Sequence, residues 1–162
     1  MITLKEIREG AARTLKELFP NAKIYKNEVL EGFQTPCFFI SAFFNTIRAA
    51  NKNTVLVETT VEIPFFSSKE ALKRVRDEDE AYKVMGELSA VFASKLKVSD
   101  RYLNITDNSF AWGGENNDIP TFQLTLEYFD DLGEDTNGEA TQLIEKVNIT
   151  EGVNLKNGYA IT

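Results

Sequence analysis

The sequence has no histidine, one cysteine, four prolines and no apolar run approaching the ~20 residues that cross a membrane. Without histidine it lacks the commonest general base and the commonest metal ligand. Its lone cysteine, Cys37, leaves no partner for an intrachain disulfide and, set in an apolar run, reads as a small buried hydrophobe. Positive charge is also in short supply. Eighteen Lys and Arg face 25 Asp and Glu, a formal net charge of -7, so the chain repels a phosphate backbone and makes a poor sequence-specific nucleic-acid reader. The amino terminus carries no basic stretch followed by an apolar core, so a soluble protein made inside the cell, with no membrane partner, is expected.

Catalytic and cofactor chemistry find no foothold either. There is no phosphate-binding glycine loop, no nucleophile beside a base and no paired-thiol motif, so neither an enzyme nor a cofactor is expected. Asp77, Glu78, Asp79 and Glu80 are consecutive, and carboxylates placed so on a helix point in different directions. They read as an electrostatic cap on a helix start rather than as a metal site. Asp135-Thr136-Asn137-Gly138 resembles part of a calcium loop, but Gly133 and Ile144 stand where the first ligand and the closing glutamate belong.

What is present is ample apolar residue, 43% of 162, enough to build the core of one domain. Thr3 and Glu6 have capping-box spacing, and Leu4, Ile7, Ala11, Leu15 and Leu18 recur every three or four residues, which predicts a helix ending at Phe19-Pro20. Ile24 to Leu30 is a strand candidate. From Cys37 to Phe44 the chain is apolar on both alternating faces, so Phe38, Ile40 and Phe44 or their alternates Cys37, Phe39 and Phe43 are expected against helices, the other set meeting another sheet or subunit.

Val55, Val57, Thr59, Val61, Ile63 and Phe65 alternate with Glu58, Thr60 and Glu62, which predicts a strand with one dry and one wet face. A second helix is expected from Asp77 to about Lys95, its stripe formed by Tyr82, Met85, Leu88, Val91 or Phe92, and Leu96. Strand character returns at Arg101, gives way to a glycine- and asparagine-rich loop from Trp112, and closes with Phe122, Leu124, Leu126 and Tyr128. Residues 132–162 form a polar linker and a carboxy-terminal arm left unassigned. In the arm, Ala140, Leu143, Ile144 and Val147 suit a helix, whereas Val147, Ile149, Val153 and Leu155 suit strands.

The expected fold is α+β, a mixed or antiparallel sheet of about four or five strands with two helices packed on one face. The order of these elements, with the Phe19-Pro20 and Glu31-Gly32-Phe33 punctuation, resembles that of the phage tail terminators over residues 1–131. The resemblance implies a structural virion protein that caps the tail tube as a hexameric ring, ends tail polymerisation and offers the head-joining surface. Its implied partners are further copies of itself, the tail tube protein and a head–tail connector protein, with DNA passing through the ring. It implies assembly in the host cytoplasm and a final place in the virion tail. Lys73, Arg74 and Arg76 beside Asp77 and Glu78 suit a contact between neighbouring subunits, and Trp112 is a candidate anchor on a loop. Another neck component and a monomeric ligand-binding domain are the alternatives.

Overall fold

A computed structural model describes residues 1–27, 32–67 and 78–132. Its elements are α1 (Leu4–Leu18), β1 (Lys23–Tyr25), β2 (Cys37–Phe39), β3 (Ser41–Ala49), β4 (Thr54–Phe66), α2 (Glu78–Val91), β5 (Lys95–Val98), β6 (Arg101–Gly113) and β7 (Ile119–Asp131). The fold is α+β, but the sheet has seven strands rather than four or five, in the order β1-β2-β4-β7-β6-β5 with β3 also on β4. β1 and β2 run parallel and every other pairing is antiparallel. The shortfall has a physical cause. The single strand expected from Cys37 to Phe44 is two, β2 and β3, and β5 holds only four residues, too few for an alternation to register against the background.

α1 starts as its spacing demands. The Thr3 side chain accepts from the Glu6 amide while Glu6 accepts from the Thr3 amide at 2.8 Å, and Phe19 ends the helix by donating to the Leu15 carbonyl. Its buried stripe, Ile7, Gly10, Ala11 and Leu15, packs on the sheet, and the helix reaches β5, β3 and β1. Near the start, Ser99 of the β5–β6 turn donates to Glu6; at the far end the Phe19 ring sits 4.9 Å from that of Phe38 in β2. At Gly10 the helix comes so close to β5 that an added Cβ would lie 2.5 Å from the Lys97 carbonyl oxygen.

The apolar run from Cys37 is two strands on the same side of β4, with Ile40 at the joint. β2 pairs with Phe65 and Phe66, and β3 with the stretch from Val55 to Glu62. The Ile40 amide donates instead to Tyr25 of β1. A second departure lies in the helix expected to reach Lys95. α2 stops at Val91, and Leu96 belongs to β5, opposite Leu103. Phe92 and Leu96 are buried in either reading, so helical spacing alone does not separate a longer helix from a turn into a short strand.

β4 and β7 behave as their alternation predicts. Val55, Val57, Thr59, Val61, Ile63 and Phe65 on β4 and Phe122, Leu124, Leu126, Tyr128 and Asp130 on β7 are buried. Ile7, Ala11 and Leu15 of α1 and Val84, Met85 and Leu88 of α2 join the same core, so both helices cover one face. Each large side chain fully removed from water there contributes roughly 1.5–3 kcal/mol. The buried Asp130 carboxylate is satisfied by the Ile2 amide and by Arg101 at 3.1 Å, which fastens the amino terminus to β6 and β7.

Candidate assembly surface

On the other face, set by the odd–even phase of the strands, Phe33 packs on Phe39 and Phe66 at the β2 end, but no described element covers the face across β3, β4, β7, β6 and β5. Strand register places Arg48 of β3 opposite Leu56 of β4, Leu56 opposite Phe129 of β7, and Lys97 of β5 opposite Tyr102 of β6. The β6–β7 register runs from Asn104 opposite Glu127, and two residues further along it sets Tyr102 beside Phe129. The result is a row across the sheet: Arg48, Leu56, Phe129, Tyr102, Lys97. Phe129 is 58% exposed and Tyr102 64%, while the Lys97 ammonium lies 5.9 Å from the centre of the Tyr102 ring. Two neighbouring exposed aromatics flanked by cations are unusual for a surface bathed only in water, because each gives up burial energy that a contact would recover.

The next rows are acidic and hydroxylic. Glu58 stands directly opposite Glu127, a like-charge pair that costs about 0.2–1 kcal/mol where a Thr pair would cost nothing. Asn45, at the bulge in β3, donates to Glu58 at 3.0 Å and to Thr60 at 2.8 Å, and Gln123 donates to Glu62 at 2.6 Å. These bonds fix the carboxylates in place on an otherwise wet face.

The residues singled out from sequence scatter. Lys73, Arg74, Arg76 and Asp77 lie outside the described residues. Glu78 opens α2 on the exposed side, as a cap should. Phe38 and Ile40 are buried within the subunit and pack in its core, so of the alternating apolar set only the half-buried Phe44 retains an accessible edge. Their burial follows from α1 and β1, which cover the β2 end of the run. Phe43, from the other alternating set, is 45% exposed. Trp112 is not on the loop but at the end of β6, where its ring meets Phe110 at 5.5 Å and Tyr82 of α2 at 6.4 Å. Sequence reading missed Phe129 and Tyr102. The signal was an aromatic pair, Tyr128-Phe129, placing one ring on each face of a strand whose outer positions are otherwise polar.

Burial pushes the Cys37 thiol up to about 11, which keeps it protonated and unreactive at neutral pH. Among the described residues no group of carboxylates or cysteine is placed to hold a metal ion. A cleft of about 340 Å³ between the end of α1 and α2 is floored by Phe38 and Phe65 and edged by Lys83 and Glu87. Among the described residues no helix is long and apolar enough to cross a membrane.

A family model described as phage tail terminator protein matches residues 6–139. No curated protein matches the sequence. One solved structure is 13% identical, with a TM-score of 0.39 over 81% of this chain and 96% of the other, a likeness too slight to carry an argument.

Proposed function

The chain belongs to the phage tail terminator family, and from that premise we propose that copies of it close into a hexameric ring on the last ring of the tail tube. The family gives it a structural role in tail completion, a place in the virion tail and contact with other tail components. The ring stops tube growth, joins the filled head through a head–tail connector protein and leaves a channel for DNA, all assembled in the host cytoplasm. The observation that supports assembly is the exposed row from Arg48 to Lys97, whose two aromatics gain burial only against another molecule. The acids of the neighbouring rows repel nucleic-acid phosphate, which suits a protein past which DNA must slide without sticking. Lys73, Arg74 and Arg76 facing Asp77 and Glu78 of the next subunit remain the proposed polar part of the ring contact.

A tail-assembly reaction tests this reading. With the protein withheld, tails of uncontrolled length are expected; with it restored, tails of one length that accept heads. Uniform headless tails in its absence would instead identify another neck component, and a chain that leaves both length and head joining unchanged would favour a ligand-binding domain centred on the cleft between α1 and α2. The triple reversal Lys73→Glu, Arg74→Glu and Arg76→Glu should abolish ring formation with circular dichroism unchanged. Rings that survive it would move the contact to the sheet or the carboxy-terminal arm.

A further inference from the structure

The sheet has three outer strands, and two of them are guarded. β5 is four residues long, carries Lys95 and Lys97, and has α1 pressed onto it at Gly10. β1 is three residues long, and Arg8 donates to the Lys26 carbonyl just beyond it at 2.7 Å. Short length, lysine and coverage are the usual means of blunting a strand edge. β3 has little of this. It runs nine residues, and among the described residues no strand pairs with the side away from β4.

Coverage of β3 is uneven. Ala42 and Phe44 pack against the core, whereas every residue from Thr46 to Ala49 is exposed. Ile47 shows the consequence. It shares the helix-side face with Val57, its fully buried partner on β4, yet remains 47% exposed because nothing lies beyond it. The bulge at Asn45 separates this end from the covered half and is stabilised by its own side chain, so Thr46 to Ala49 stays in regular register with Glu58 to Val55.

Only one stretch of the chain matches what such an edge accepts. Val147, Ile149, Val153 and Leu155 alternate with Asn148, Thr150 and Asn154, a mostly β-branched, two-faced pattern interrupted at Glu151-Gly152. That stretch belongs to the region after Leu132, and Leu132 is fixed at the β3–β4 turn, its amide donating to the Asn53 carbonyl at 3.0 Å. The 14 residues 133–146 between them reach up to ~46 Å when extended, against ~15 Å for the three strand spacings from β7 to the open side of β3. The segment is therefore long enough to leave its own subunit, which is what reaching a neighbour's edge requires.

We propose that residues 147–155 of one copy add as a strand to the open end of β3 in the next copy, with the apolar set over Ile47 and the polar set toward solvent. This rests on the ring reading, which supplies the preference for a neighbour. Every copy then has one strand to give and one edge to receive, a head-to-tail contact of the kind that repeats around a closed ring. Main-chain hydrogen bonds hold the strand, and the alternation sets its register.

Cross-linking tests it. In a Cys37→Ala background, one chain carries Ile47→Cys and a second carries a single cysteine at 147, 149, 153 or 155; oxidation of the mixture should give a disulfide between the two chains. Cysteines at Asn148 or Thr150, on the opposite face, should give none. A chain carrying both cysteines should form linked multimers, and a linked monomer would show that the segment covers its own edge and overturn the proposal. Native mass measurement separates this from the ring reading. A chain ending at Leu132, folded by circular dichroism, should fail to form the rings that the full chain forms. Truncated chains that still close into rings would sink the strand exchange and leave the ring standing. A full-length chain that stays monomeric at millimolar concentration and gives no cross-link would sink both.

Discussion

The two faces of β4 and β7 are made by the same residues in alternation, yet they answer to different rules. On the helix side, Val57, Ile63, Phe122, Leu124 and Leu126 are fully buried, and the partners they pack on come from both helices and both strands. On the far side, Leu56, Phe129, Thr60, Glu58 and Glu127 have neighbours within the sheet, and no described element outside it covers them. The helix-side face is fixed by packing, where a missing methylene leaves a void. The far face is free of that constraint, so its chemistry is open to selection for what it touches.

Four measurements sharpen this contrast. Phe122→Ala, on the helix side, removes a ring that packs 5.9 Å from Phe92 and should lower unfolding free energy by ~3–5 kcal/mol in urea melts. A loss below 1 kcal/mol would mean that α2 does not rest on β7. Gly10→Ala should cost ~1–3 kcal/mol despite the better helix propensity of alanine, because its Cβ would meet the Lys97 carbonyl, a backbone atom that cannot swing aside. A gain in midpoint temperature would show that α1 stands further from β5.

The third measurement is a pH scan. Burial raises the pKa of Cys37 from 9.0 to about 11, and that of Tyr128 also rises, from burial first. Both groups hold their protons more tightly folded than unfolded. Their contribution is therefore complete below the unfolded values and lost as pH climbs through the folded ones. Stability should fall between pH 9 and about 11, and Cys37→Ala should flatten the fall by on the order of 2 kcal/mol. An unchanged slope would place the thiol in contact with solvent. The smallest stability effect belongs to the far face. Phe129→Ser should leave the unfolding free energy within about 0.5 kcal/mol while weakening ring formation in native mass spectra. A large stability loss there would mean that this face is covered within the subunit.

Much of the frame was legible in the residues. The capping box at Thr3 and Glu6 placed α1 to the residue, and alternation in Val55 to Phe65 and Phe122 to Tyr128 identified the buried faces of β4 and β7. Sequence reading failed where a signal was short or shared. Cys37 to Phe44 is apolar throughout, so nothing local marks the joint at Ile40, and the choice depends on β1 taking up the Ile40 amide. Leu96 suits a helix stripe and a buried strand equally. Trp112 stands beside Gly113 and Gly114 and so looks like a loop residue, although the β6–β7 ladder extends through Gly113.

The sequence alone determined the buried faces of α1, β4 and β7, because hydrophobic periodicity is a local property, and the order of elements that relates this chain to the phage tail terminators. The tertiary structure alone decided which apolar residues remain outside. Phe38 and Phe43 are the same side chain in the same run, but Phe38 pairs with Phe65 on the helix side and is fully buried, whereas Phe43 pairs with Thr60 on the far face and is 45% exposed. Likewise, the row from Arg48 to Lys97 exists only because five strands distant in sequence are brought into register. A surface depends on the contacts that are absent as well as those that form, and no stretch of sequence records where a helix 15 residues long will run out.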